Sequence, residues 1–148
     1  LLKSKGGDGD ALDVCVLGMP APTGSVVKAR AIGVLTLLDN GEVDDKLIAV
    51  AQTGPFATVS SLTDLEKRFP GVTTILQTWF TSYKGYGKDG KLQLSSPGFK
   101  GRAVAIKTVG DAILDFEMSV ATEDDKRPLD EKGNPQLYRW PGARNIGE

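Results

Sequence analysis

Apolar positions change their period once along this chain, near residue 55. Upstream, the runs are short and bounded by turn residues. "LDVCVLG" (12–18) reads as a strand stopped by the Gly/Pro connection "GMPAPTG". "SVVKARAIGVLTLL" (25–38), rich in Val, Ile and Leu, predicts a long strand in which Lys28 and Arg30 alternate with Val27, Ala29 and Ala31. "DNGEVD" (39–44) contains Asn-Gly and reads as a turn, with "DKLIAVA" (45–51) returning as the next strand. Strands at this spacing predict a small barrel or a strongly bent sheet.

Downstream the period becomes helical. In "SSLTDLEKRF" (60–69), Leu62, Leu65 and Phe69 share a face, and Thr63 and Glu66 have capping-box spacing. Pro70-Gly71 breaks the chain. "VTTILQTWFTSYK" (72–84) then sets Ile75, Leu76, Trp79, Phe80 and Tyr83 at helical spacing, as a core-facing stripe, with Gly85 just past its end. Residues 100–120 predict a third helix with Ile106, Val109, Ile113 and Phe116 on one side. Residues 121–148 hold three prolines and many charges and are expected to be an irregular extension. Strands first and helices second argue for an α+β fold.

A length of 148 residues fits one domain, and 40% hydrophobic with 25% charged residues is a soluble globular composition. A net charge of −1 without a basic stripe argues against a nucleic-acid partner. The apolar runs are too short to span a membrane, and residues 1–7 lack the apolar core of a signal peptide. Histidine is absent, which removes Ser-His-Asp and Cys-His catalysis. With one cysteine, Cys15, neither an internal disulfide nor a zinc site is expected, and Cys15 reads as a small buried hydrophobe. Carboxylate, lysine and tyrosine remain as the chemistry-bearing groups.

Carboxylates are concentrated in "GGDGDALDVCV" (6–16). Asp8 and Asp10 share a face of extended chain, and Asp13 joins them if the backbone turns. Asp39 and Asp44 close the two ends of the Asn-Gly turn and are expected to be neighbours. Five aspartates meeting at one rim would need cations between them, and Mg²⁺ suits an all-oxygen site that handles phosphate. A plain solvated acidic turn is the competing reading. The loop is no EF-hand, since Asp13 occupies the position that needs glycine. "GYGKDGK" (85–91) matches two nucleotide-binding patterns, but a helix precedes it and Leu92 stands where a P-loop needs Ser or Thr, so a surface loop is expected. Tyr83 and Lys84 pair a hydroxyl with a cation at a helix end.

"DGDALDV", "RAIGVLTLLDNGEVDDKLIAV" and "FPGVTTILQTWFTSYK", in this order, resemble family I soluble inorganic pyrophosphatases over about residues 7–120. The first block is close to the family signature Asp-x-Asp-Pro-φ-Asp-φ, with φ apolar and Ala11 replacing the usual proline. The second carries the Asp-x₄-Asp-x-Lys spacing. The resemblance implies an OB-like five-stranded β-barrel, incomplete at the N-terminus and packed with C-terminal helices. It makes 1–120 a pyrophosphatase domain lacking upstream strands and 121–148 an extension. It implies Mg²⁺-dependent hydrolysis of pyrophosphate to two orthophosphates, with several ions per site. Asp8, Asp13, Asp39 and Asp44 would hold metal, Asp10 would be the general base, and Lys46, Tyr83 and Lys84 would contact phosphate. A homo-oligomer in the cytoplasm is expected, with a plastid or mitochondrion as the alternative compartment. The competing expectation is a non-catalytic remnant or paralogue that binds metal or associates with an intact subunit.

Overall fold

The computed structural model describes residues 1, 3–7 and 9–124. Its elements are β1 (Val14–Leu17), β2 (Ala29–Asp39), β3 (Glu42–Val43), β4 (Lys46–Ala51), α1 (Leu62–Arg68), α2 (Val72–Ser82), β5 (Leu94–Gly101) and α3 (Arg102–Asp124). The α+β expectation holds. The sheet is open and mixed, as a barrel short of strands would be. β4 lies between β1, which it pairs in parallel, and β2, which it pairs antiparallel. β3 folds back on the end of β2, and β5 pairs with the other side of β2.

The predicted Asn-Gly turn is present. Asn40 and Gly41 both have positive φ, 49° and 90°, the geometry of a tight hairpin turn whose twist matches that of the strands. Residues 25–28 of the predicted long strand lie outside β2. β5 was not expected from the sequence. Its residues, "LSSPGFKG", carry Ser, Gly and a proline, a poor strand composition, and pairing with β2 overrides it.

Both faces of the sheet are covered. One packs Leu35, Leu37, Ile48 and Val50 against Leu65 of α1 and Leu76 and Phe80 of α2. The other packs Val34 and Leu47 against Ala105 and Val109 of α3. β4 is therefore buried at every position. A bulge between Ala31 and Gly33 shifts the alternation of β2, so Ile32 joins Leu35 and Leu37 on the α1 and α2 side. Gly33 lies at that bulge, and a Cβ there would come within 2.4 Å of the Leu62 side chain and 2.9 Å of the Lys100 carbonyl oxygen.

Three helix readings are corrected. The cap of α1 is Ser61, whose hydroxyl accepts from the Asp64 N–H at 3.1 Å, while Asp64 accepts from the Ser60 N–H. Glu66, expected in a capping box with Thr63, instead accepts from the Gly71 N–H and the Thr73 hydroxyl and ties α1 to α2. The aromatic stripe of α2 splits. Leu76 and Phe80 face the core, while Ile75, Trp79 and Tyr83 are exposed, Trp79 at 57%. On α3, Ile106 and Ile113 face outward, and Ala105 and Ala112 are the buried residues. Small side chains let the helix lie close to the sheet, so the larger isoleucines do not mark the buried face. The helix also runs past residue 120 to Asp124, across the expected boundary, and the expected irregular extension from 125 onward lies outside the described residues.

Gly33→Ala is expected to destabilise the chain by about 1–3 kcal/mol through overpacking between β2, Leu62 and β5. Urea denaturation should show a lower midpoint with an unchanged slope.

Candidate active site

The site lies at the rim where β1 and the β2–β3–β4 hairpin meet. Ser4, Lys5 and Leu12 are fastened there before the chain enters β1. The Lys5 N–H donates to the Ala112 carbonyl of α3 at 2.8 Å, and the Leu12 N–H donates to the hydroxyl of Ser4, itself buried. The parallel register sets Val14 beside Leu47, so Asp13 stands next to Lys46, and the Leu47 N–H donates to the Asp13 carbonyl at 3.0 Å.

Lys46 is the first residue of β4 and is only 6% exposed. Its ammonium donates to Asp13 Oδ2 at 2.6 Å and to Asp44 Oδ1. Burial works to lower its pKa, but the hydrogen bonds and negative charge of Asp13 and Asp44 outweigh that and hold it above the ordinary lysine value near 10.5. A second pair lies at the hairpin tip, where Lys84, just past α2, donates to Asp39 Oδ2. Asp39 holds the Lys84 pKa above the ordinary value, with smaller help from the charges of Tyr83 and Asp44.

The predicted residues fall into place unevenly. Asp13, Asp44 and Lys46 form one cluster, and Asp39 and Lys84 form an adjoining pair. Asp10 is exposed in the loop before β1, where its carbonyl accepts from the Gly6 N–H at 2.6 Å. Asp8 lies outside the described residues. Tyr83 is exposed, its ring stacked on Trp79 with centroids 4.9 Å apart and planes 7° from parallel. Cys15, expected as a small buried hydrophobe, is half-buried and packs against the core, and burial raises its thiol pKa. Residues 85–91 follow α2 and precede β5, closed by a Tyr86–Leu92 bridge, and form the expected loop without nucleotide-binding context.

Two groups that the sequence reading missed hold these parts together. Gln93 donates its side-chain amide to the Lys84 carbonyl at 3.0 Å and its N–H to the Gly85 carbonyl at 3.1 Å. Its own carbonyl accepts from the Asn40 N–H at 3.0 Å, so it ties the end of α2 to the hairpin tip. Trp79 supports the Tyr83 ring. Gln93 had no signal in the sequence because β5 was not expected, whereas Trp79 is visible four residues before Tyr83.

A mixed open sheet with helices on both faces and this acidic, lysine-bearing rim defines an α+β protein. The family model described as inorganic pyrophosphatase matches residues 2–117. The inorganic pyrophosphatase of Yarrowia lipolytica is 35% identical over 129 residues, covering 86% of this chain and 44% of that protein. The chloroplastic soluble inorganic pyrophosphatase 1 of Chlamydomonas reinhardtii is 40% identical over 80 residues, 53% of this chain and 29% of that one. The solved inorganic pyrophosphatase of Helicobacter pylori superposes with a TM-score of 0.67 at 31% identity, over 79% of this chain and 68% of that chain. The chain belongs to the inorganic pyrophosphatase family. It spans less than half the length of these two curated relatives.

The family needs a divalent metal. The donor chemistry of the rim fits one, because Asp13 and Asp44 come from separate elements and already share a single cation, the Lys46 ammonium. Among the described residues no three acidic side chains by themselves form a metal-holding group. Of the five aspartates expected to converge, Asp13 and Asp44 meet on Lys46 and Asp39 meets Lys84, while Asp10 stands exposed in the loop before β1 and Asp8 lies outside the described residues.

Raised pKa values give these pairs a definite pH dependence. Their stabilisation is fully present below the ordinary lysine value and is lost as pH rises through the higher folded-state values. Carbon-13 NMR of the lysine Cε positions should show Lys46 and Lys84 titrating above the ordinary lysine value, and Asp39→Asn should lower Lys84 while leaving Lys46 in place.

Proposed function

We propose that this chain carries the metal-holding and phosphate-binding part of an enzyme that hydrolyses pyrophosphate to two orthophosphates. The observation that supports it most is the meeting of Asp13 and Asp44, from β1 and the hairpin, on one buried cation beside the Asp39–Lys84 pair. Asp8, Asp13, Asp39 and Asp44 would hold Mg²⁺, which suits hard carboxylate oxygens and substrate phosphates. Bound there, such ions supply charge neutralisation of pyrophosphate and a lowered pKa for the attacking water.

The side chains supply the rest. Lys46, Lys84 and Tyr83 bind phosphate oxygens, and the lysines offset the charge that grows on the departing phosphate. Asp10 accepts a proton from the water as its oxygen bonds to one phosphorus. The bridging P–O bond breaks, and its electron pair leaves with the second phosphate. Tyr83 and Asp10 are both exposed, which suits groups that must meet an incoming ligand. Among the described residues no helix is long and apolar enough to cross a membrane. A cytoplasmic setting and a homo-oligomer are part of the proposal. The chloroplastic relative supports an organelle as the alternative compartment.

A second reading has one observation in its favour. Among the described residues β1 pairs only with β4, so its other edge is available to a strand from an intact subunit. In that reading the chain binds metal or associates without turning over substrate.

Phosphate release from pyrophosphate with Mg²⁺ decides between them. Release is expected. Asp13→Asn and Asp44→Asn should weaken Mg²⁺ uptake and abolish release. Asp10→Asn should cost about 10²- to 10⁴-fold in rate with little change in Mg²⁺ affinity. An unchanged rate in Asp10→Asn removes Asp10 as the base. No release from folded chain that binds Mg²⁺ selects the second reading.

A further inference from the structure

We propose that Asp45 is a positioning residue whose carboxylate holds open one step of the β2 hairpin ladder and thereby fixes where Asp44 stands. The inference deepens the assignment of Asp44 and Lys46 to the pyrophosphate site and rests on it.

The pairing register is the same on both sides of the break. Leu35 pairs with Lys46, and Leu38 pairs with Val43. An unbroken ladder would set Thr36 opposite Asp45 and Leu37 opposite Asp44, yet β3 ends at Val43 and β4 begins at Lys46. A hydrogen-bonded antiparallel pair exchanges two bonds. One is present at Leu37 and Asp44, where the Asp44 N–H donates to the Leu37 carbonyl at 2.9 Å. The other is replaced, because the Leu37 N–H donates to Asp45 Oδ1 at 3.1 Å.

Burial makes that replacement consequential. Leu37 is fully buried in the core under α1 and α2, so its N–H cannot turn to water and needs an acceptor. The Asp45 carboxylate supplies it in place of the Asp44 carbonyl. The main chain at Asp44 and Asp45 is then gripped from both sides of Leu37, through its carbonyl and through its N–H. Lys46, one residue on, is already in the ladder. In the run Asp44-Asp45-Lys46, the middle residue therefore anchors the two that share the ion pair.

The function needs an acceptor of this length and no charge. Asparagine keeps the acceptor, and alanine removes it. A residue that acted instead as a further cation ligand or source of negative charge would lose its effect in both. Asp45 also borders, with Asp13, Asp44 and Lys5, a cavity of about 160 Å³ on the α3 side, so that alternative has to be tested.

Amide hydrogen exchange by NMR on the metal-free chain and Mg²⁺ calorimetry test the proposal. In Asp45→Asn, protection of the Leu37 amide and Mg²⁺ affinity should both stay within about threefold of the parent chain. In Asp45→Ala, Leu37 protection should fall about tenfold while Ile48 and Val50 keep theirs, and Mg²⁺ affinity should fall about tenfold. Unchanged Leu37 protection in Asp45→Ala overturns the anchor, as does a loss of Mg²⁺ affinity in Asp45→Asn equal to that in Asp45→Ala. If Asp45→Ala fails to fold, Asp45→Asn decides alone: retention of both readouts supports the anchor and loss of either rejects it. Leu37 protection is read without metal or substrate. An absence of phosphate release or of Mg²⁺ uptake by the parent chain would therefore remove the functional reading and leave the Leu37 measurement to judge Asp45.

Discussion

A lysine at the first position of a strand covered on both faces is the constraint around which this rim is organised. Charge placed there is costly unless it is matched, and breaking such a match leaves an uncompensated charge away from water. Asp13 and Asp44, from separate segments, supply the match to Lys46. That requirement joins three pieces of chain: the loop entering β1, the β2–β3 hairpin and the start of β4. The parallel β1–β4 register brings Asp13 to Lys46, and the ladder brings Asp44.

The sheet delivers its two faces to different helices, and the rim draws on both. On one side α2 ends beside the hairpin and presents Tyr83 and Lys84, with Gln93 of the incoming β5 segment bonded to both partners. On the other side α3 fastens the loop before β1 through the Lys5–Ala112 hydrogen bond. The bulge at Gly33 re-phases β2, so both faces stay apolar while the strand keeps its pairing with β4 and β5. Core packing and site geometry are thus coupled through hydrogen bonds of the main chain, of which the one from the Leu37 N–H to the Asp45 carboxylate is the most exacting because the residue that donates it is fully buried.

Much of the strand region was legible because its signals are local. Asn40-Gly41 forces a tight turn, the Val/Ile/Leu runs on either side supply its arms, and the spacing of Asp39, Asp44 and Lys46 follows from the hairpin. The helical half was less legible. Ile75, Trp79 and Tyr83 have the same spacing as core residues, and period alone does not say which of two adjacent apolar stripes meets the sheet. On α3 the buried positions are alanines, whose small size is the reason they are close to the sheet and also the reason they give little hydrophobic signal. Glu66 had the spacing of a cap but found nearer donors in Gly71 and Thr73.

The amino-acid sequence by itself determined the hairpin, the change from strand to helical period and the set of acidic, lysine and tyrosine groups available to the rim, since each depends on neighbours a few residues apart. Only the tertiary structure decided which carboxylate meets which ammonium, which face of α2 and α3 is buried, and that β5 exists at all. Those outcomes depend on pairings between segments tens of residues apart. There the energy lies in shared burial and in matching a charge that cannot reach water, and neither quantity is written in any one stretch of chain.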